Sequence, residues 1–232
     1  MKDPYLYPNT NVLRNKIDIH DAGQLAEVEN DIVYLKLIDV DDFSATKTFD
    51  VPYLRDLHHF LFEDIYDWAG EFRKMNIRKQ ERVLDGMSVE YADCSSLDKK
   101  LDKEFQDLNA VEWKGLSLLE RATLFSKKFA AIWKIHPFRE GNTRTITTFM
   151  LQYASNSGLE LDGALLAKYS SYVREALVMA SLGEYAEPDH LEKIILDAMG
   201  GMTYDEKSTD NSYEYINEYD VKDYHYKPFN EE

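Results

Sequence analysis

A histidine, a carboxylate, an asparagine and an arginine fall within nine residues in the stretch "KIHPFREGNTRT": His136, Glu140, Asn142 and Arg144. Each type suits one part of a single chemistry. A histidine titrates near neutrality and can take a proton from an attacking hydroxyl. A glutamate offers hard oxygen to Mg²⁺, which prefers one or two carboxylates completed by substrate phosphates. Pro137 cannot continue a helix, so the chain turns there, and Gly141 permits backbone shapes that other residues resist. A helix resuming at Asn142 or Thr143 presents unpaired N–H groups and a positive dipole end, which suits a phosphate. Arg144 adds a fixed charge with several donors. Base, metal ligand and phosphate cradle together describe phosphoryl or nucleotidyl transfer. Taken singly, each residue fits a plain interhelical turn, with His136 capping a helix and Glu140 and Arg144 forming a solvated pair. The set favours the site.

Such a loop needs rigid elements on both sides, and helical spacing dominates the chain. Asp21 is a good N-cap for the helix read in "DAGQLAEVENDIVYLKL". "VPYLRDLHHFLFEDIYDWAG" sets Leu54, Leu57, Leu61, Ile65 and Trp68 on one stripe, ended by Gly70. "LSLLERATLFSKKFAAIWKI" is apolar enough to be central. "TITTFMLQYASNSG", "LLAKYSSYVREALVMASLG" and "HLEKIILDAMGG" follow the loop as further helices. The exception is Glu71 to Gly86, whose rough alternation and terminal Asp85-Gly86 suggest a hairpin or an extended flap. The expected architecture is all-α with a short β-hairpin flap. It divides into a domain over residues 1–202 and a tail over 203–232 that is acidic, rich in tyrosine and poor in aliphatic residues.

Composition sets the outer bounds. With 232 residues and 44% hydrophobic, the chain can bury one core. A single cysteine, Cys94, excludes an internal disulfide framework and fits a reducing compartment. No run approaches a membrane span, and "MKDPYLYPNT" lacks the apolar core of a signal peptide. The expected location is cytoplasmic, with export as an effector left open. A net charge of −16 repels phosphate backbones, so nucleic acid is not the expected partner.

The loop resembles the signature of the Fic family, His-x-Phe-x-(Asp/Glu)-Gly-Asn-Gly-Arg-x-x-Arg, over residues 136–147. His136, Phe138, Glu140, Gly141, Asn142 and Arg144 match in order. "DPYLYPNTNVLRNK" and "LFEDIYDWAGEFRKMNI" look like the family's entry segment and its lead into the flap. The resemblance implies transfer of AMP from ATP to a Ser, Thr or Tyr hydroxyl of a target protein, with Mg²⁺. It implies that His136 is the general base and that Glu140 holds the metal. Phe138 would anchor the loop, and Arg139, Gly141, Asn142, Thr143 and Arg144 would line the nucleotide. Met75, Asn76 and Ile77 in the flap would align the target by backbone pairing.

Two positions depart from the pattern: Thr143 stands where the family has glycine and Thr147 where it has its second arginine. Position 143 bears on reaction type, because a lysine there accompanies phosphoryl transfer in the Doc branch. Doc-like phosphotransfer is therefore the enzymatic alternative, and nucleotide or partner binding without turnover is the other. The inhibitory pattern (Ser/Thr)-x-x-x-Glu-(Gly/Asn) has no match: Glu29 and Glu140 precede Asn or Gly, but Leu25 and His136 stand four residues before them. Control by a separate inhibitor protein or by the tail is compatible with that. His58, His59 and Glu63 make only a weak metal pattern and are read as lining a cleft edge. Cys94 has no evident base and is read as inert.

Overall fold

The computed structural model describes residues 3–40, 43, 48–201, 219 and 221. Eight α-helices are found among them: α1 (Ala22–Ile38), α2 (Val51–Phe62), α3 (Leu97–Asn109), α4 (Leu118–Ile135), α5 (Asn142–Asn156), α6 (Gly163–Lys168), α7 (Ser170–Ala180) and α8 (Asp189–Leu196). The starts follow local chemistry. The carboxylates of Asp21, Asp50 and Asp162 accept first-turn N–H groups of α1, α2 and α6. Ser117 and Glu120 form a reciprocal capping box at α4.

α4 lies at the centre, packed against α3, α5, α7 and α8. Its Phe125, Phe129, Ile132 and Trp133 are completely buried. α3 has no counterpart in the sequence reading. Its stretch "LDKKLDKEFQDLN" is so charged that its apolar stripe is easily overlooked, yet Leu97, Leu101, Phe105 and Leu108 all face the core. Each such side chain contributes roughly 1.5–3 kcal/mol of burial. α2 stops at Phe62 rather than running on to Gly70. The segment read as one helix over 165–183 breaks at Tyr169 into α6 and α7.

The expected β-hairpin does not form: the described residues of the flap contain no strand. Residues 71–81 and 87–94 run back along one another, but their rungs are made mostly by side chains. Lys79 N–H donates to Ser88 Oγ, Cys94 N–H to Asn76 Oδ1, and Asn76 Nδ2 to Asp93 Oδ2. One backbone bond, from Glu81 N–H to Met87 O, closes the tip around a 3₁₀ turn at Arg82–Leu84. Side chains that span the gap keep the two backbones from forming a ladder, so the flap is extended rather than paired. Of the tail, Tyr219 and Val221 are described; Tyr219 packs on Tyr169 and Tyr172. Tyr204, Tyr213, Tyr215, Tyr224 and Tyr226 of the tail lie outside the described residues.

Candidate active site

α4 ends at His136, which adopts the left-handed conformation (φ 52°, ψ 59°) and turns the chain into the loop. The imidazole is fully buried, and neither ring nitrogen has a hydrogen-bond partner among the described residues. It lies 4.0 Å from the Tyr91 ring in a stacked arrangement. Burial, reinforced by the positive charge of Lys79, holds its pKa well below the ordinary value. His136 is therefore neutral at pH 7, and its lone pair is uncommitted.

The loop's shape is set by groups that do no chemistry. Phe138 is buried between the His58 ring, stacked at 3.8 Å, and Phe72. Asn142 closes the turn: its Oδ1 accepts from Phe138 N–H and its Nδ2 donates to Phe138 O, each at 2.8 Å. The resemblance gave this amide to phosphate, whereas here it is spent on the loop. Gly141 has φ +79°, and a Cβ there would lie 2.3 Å from the Phe62 ring. Arg73 is 2% exposed and was not singled out in the sequence. Its guanidinium donates to the carbonyls of His136, Met75 and Ala92, tying loop to flap.

His58 is a structural residue of the loop rather than part of a cleft edge. Gly70 N–H donates to its Nδ1 at 2.8 Å, and its Nε2 donates to the Glu140 carbonyl at 3.1 Å. That arrangement fixes the neutral tautomer, and burial lowers its pKa to about 3. The unfolded chain then binds a proton below about pH 6.5 that the folded chain refuses. Stability contributed by neutral His58 is complete above that pH and is lost as pH falls toward 3. The expected result is a fall of about 2 kcal/mol in unfolding free energy between pH 7 and pH 5 from His58, with His136 acting in the same direction. Urea denaturation at the two pH values measures it; equal stabilities would mean that these rings are protonated in the folded state.

Glu140 is partly exposed and forms an ion pair with Lys79 of the flap, whose Nζ lies 2.9 and 3.1 Å from its two oxygens. Gly141 N–H donates to Oε1 at 3.0 Å. Burial alone would raise this carboxyl's pKa, but the Lys79 charge and the Gly141 bond hold it far below the usual range. Glu140 thus stays ionised, its carboxylate engaged by the Lys79 ammonium. No cluster of three or more metal-ligating side chains occurs among the described residues. Glu140 alone suits Mg²⁺ only with phosphate oxygens and water completing the shell.

α5 begins at Asn142 without a side-chain cap, as do α3, α7 and α8, so its first-turn N–H groups face the loop region unclaimed by a capping side chain. Thr143, which stands where the pattern has glycine, has its Oγ1 turned to Trp133, accepting from Nε1 at 2.9 Å. Thr147 lines a cleft of about 790 Å³ with Arg144, Leu151, Leu166 and Val173. Arg139 pairs with Asp3 at 2.8 Å. Arg144 pairs with Glu29 and Asn30 of α1 and lies over the Phe62 ring. Glu29 also accepts from the Tyr66 hydroxyl. Its signal was a carboxylate on the buried stripe Leu25–Glu29–Val33 of α1. Met75, Asn76 and Ile77 lie along the flap with no backbone–backbone hydrogen bond among the described residues. His59 reaches Glu63 at 3.4 Å, away from the loop.

A helix–loop–helix with this loop, covered by a flap rooted after α2, defines a Fic-type domain. The chain belongs to the Fic/DOC family, whose model matches residues 48–154. It is 33% identical over 170 residues to a probable protein adenylyltransferase, y4lH, of Sinorhizobium fredii, covering 72% of this chain and 82% of that one. It is 29% identical over 183 residues to protein adenylyltransferase VbhT of Bartonella schoenbuchensis, covering 79% of this chain but only 36% of that protein's length. Among solved structures it resembles BepC of Bartonella tribocorum with bound AMPPNP, with a TM-score of 0.70 and 26% identity over 84% of this chain and 95% of that one. No helix among the described residues is long and apolar enough to cross a membrane.

Proposed function

We propose that this chain is a protein adenylyltransferase, moving AMP from ATP to a Ser, Thr or Tyr hydroxyl of a target protein. The observation that carries the reading is His136: a neutral imidazole with both nitrogens unpaired, placed between an ionised carboxylate and an uncapped helix start. The relatives named above as adenylyltransferases, and the neighbour with AMPPNP bound, support it. His136 is fully buried, so seating the hydroxyl requires the groups that cover its ring nitrogens to move.

In the reaction the target oxygen attacks the α-phosphorus, the bond from that phosphorus to the β-phosphate bridging oxygen breaks, and pyrophosphate leaves. The hydroxyl proton passes to a ring nitrogen of His136. The first-turn amides of α5 hold phosphate oxygens, with Arg144 and Arg139 adding charge once released from Glu29 and Asp3. Glu140 would hold Mg²⁺, which would offset charge on the phosphates, once Lys79 yields the carboxylate. Asn76 and Ile77 offer backbone that makes no backbone–backbone hydrogen bond among the described residues to an extended target segment, beside a Met75 carbonyl held by Arg73. The reaction belongs where ATP and Mg²⁺ are abundant, which fits the cytoplasm, whether of the producing cell or of one receiving the protein. Restraint by a separate inhibitor protein fits the lack of an inhibitory pattern in the sequence.

ATP labelled separately at the α and γ positions tests the reading. Label retained on protein from the α position alone is the expected result. Retention of γ label instead would mean Doc-like phosphotransfer, and retention of neither would mean a binding protein. Glu140→Gln is expected to weaken Mg²⁺-dependent ATP binding by about tenfold or more, the cost of one charge-assisted contact. Calorimetry with Mg²⁺ and with EDTA measures it, and equal affinities for wild type and variant would remove Glu140 as the metal ligand.

A further inference from the structure

Four basic side chains flank the loop, and each is paired with a carboxylate: Lys79 with Glu140, Arg139 with Asp3, Arg144 with Glu29 and Arg174 with Glu81. The Arg174 pair differs in geometry. Its Nη2 alone serves both oxygens of Glu81, at 2.8 and 2.9 Å. Its Nη1 points instead at Thr143 Oγ1, 3.5 Å away in the first turn of α5. One edge of the guanidinium is thus clamped and the other faces the uncapped helix start.

The clamp is built rather than incidental. Glu81 has a side chain only 4% exposed and also accepts from the Tyr91 hydroxyl at 3.0 Å. Tyr91 in turn stacks on His136. Guanidinium, carboxylate, phenol and imidazole therefore form one continuous assembly. Arg174 itself is 37% exposed, so a ligand can reach it. A guanidinium recognises phosphate through paired N–H groups, and holding it by a buried carboxylate removes the entropy cost of aiming it. α7 thus places a cation beside the first turn of α5, while position 147 one turn further along, where the family pattern carries arginine, holds threonine.

We infer that Arg174 binds the outer phosphates of the nucleotide and supplies from α7 the guanidinium missing at Thr147. The inference rests on the reading that a nucleoside triphosphate occupies this loop. It makes Arg174 a specificity residue for triphosphate over monophosphate and assigns it no part in proton transfer.

The test is equilibrium binding of Mg²⁺-ATP and of AMP to the full chain, by calorimetry. Arg174→Gln should weaken ATP binding by about 10- to 100-fold, the range for one charge-assisted contact, while AMP affinity stays within about threefold. Adding Thr147→Arg to Arg174→Gln should recover most of the ATP preference, because position 147 lies one helical turn beyond Thr143, the residue the Arg174 guanidinium reaches. Unchanged ATP affinity, or equal losses for ATP and AMP, would make Arg174 a structural latch for the flap and overturn the inference. If Arg174→Gln alone leaves Glu81 buried and uncompensated and the protein fails to fold, Glu81→Gln with Arg174→Gln carries the same comparison with two neutral amides. Wild type that binds neither ATP nor AMP would instead reject the nucleotide reading itself.

Discussion

Replacing His136 by alanine is expected to lower AMP transfer by about 10²–10⁴-fold, the usual contribution of a general base, and to leave Mg²⁺-ATP affinity nearly unchanged. The side chain makes no hydrogen bond to the loop, so its removal breaks none. The loop backbone at this position is held through the His136 carbonyl by Arg73 Nε at 2.9 Å, a bond that alanine retains. What is lost is the stacking on Tyr91 and the proton acceptor. Because residue 136 has positive φ, His136→Asn is the companion variant, since asparagine tolerates that conformation better than alanine. Transfer from α-labelled ATP and calorimetry on the same samples give the two readouts. Transfer undiminished in both variants would place the base elsewhere.

Gly141→Ala is expected to destabilise the fold by about 2–5 kcal/mol, combining left-handed backbone strain with overpacking. The two causes can be separated. A Cβ at 141 would lie 2.3 Å from the Phe62 ring, so Phe62→Leu in the Gly141→Ala background should return the steric part. It leaves the backbone part, which φ +79° imposes whatever the neighbour. Urea denaturation of the two single variants and the double variant measures each. Wild-type stability in Gly141→Ala would mean that the loop has room the geometry denies. Nucleotide binding should fall with stability, because the same turn places the first amides of α5.

The loop was legible because its residue types are rare neighbours: a proline that must break a helix, a glycine that must turn, and a base and a carboxylate between two apolar runs. The central helix α4 and the caps at Asp21 and Ser117 follow from local rules that need no partner. What sequence could not supply were pairings across distance. Arg73 reads as one cation in a charged flap, and only folding brings it to the carbonyls of three segments, at Met75, Ala92 and His136. Glu29 was set aside because the residues around it fit no inhibitory pattern, yet α1 places it on Arg144. Asn142 was read as a phosphate ligand because the family pattern carries it, while its short amide reaches the Phe138 backbone first. The hairpin failed for a related reason. Alternation in Glu71–Gly86 reports which side chains face inward, and the structure keeps that alternation while Asn76 and Ser88 take the bonds a ladder would have used.

The buried guanidinium of Arg73 touches the carbonyl of the base residue and the carbonyls at both arms of the flap, at Met75 and Ala92. In sequence these points lie 17 to 61 residues apart, yet mechanically they share a single datum. Any segment that docks along Met75–Ile77 is gauged from the same atom group that seats the imidazole. Under the proposed function, the span between a partner gripped at the flap and the imidazole that takes its proton is a fixed ruler, not the sum of loose intervening parts. Residues at the flap tip can then change to suit a new partner without recalibrating the reacting centre, provided the ruler itself is left alone.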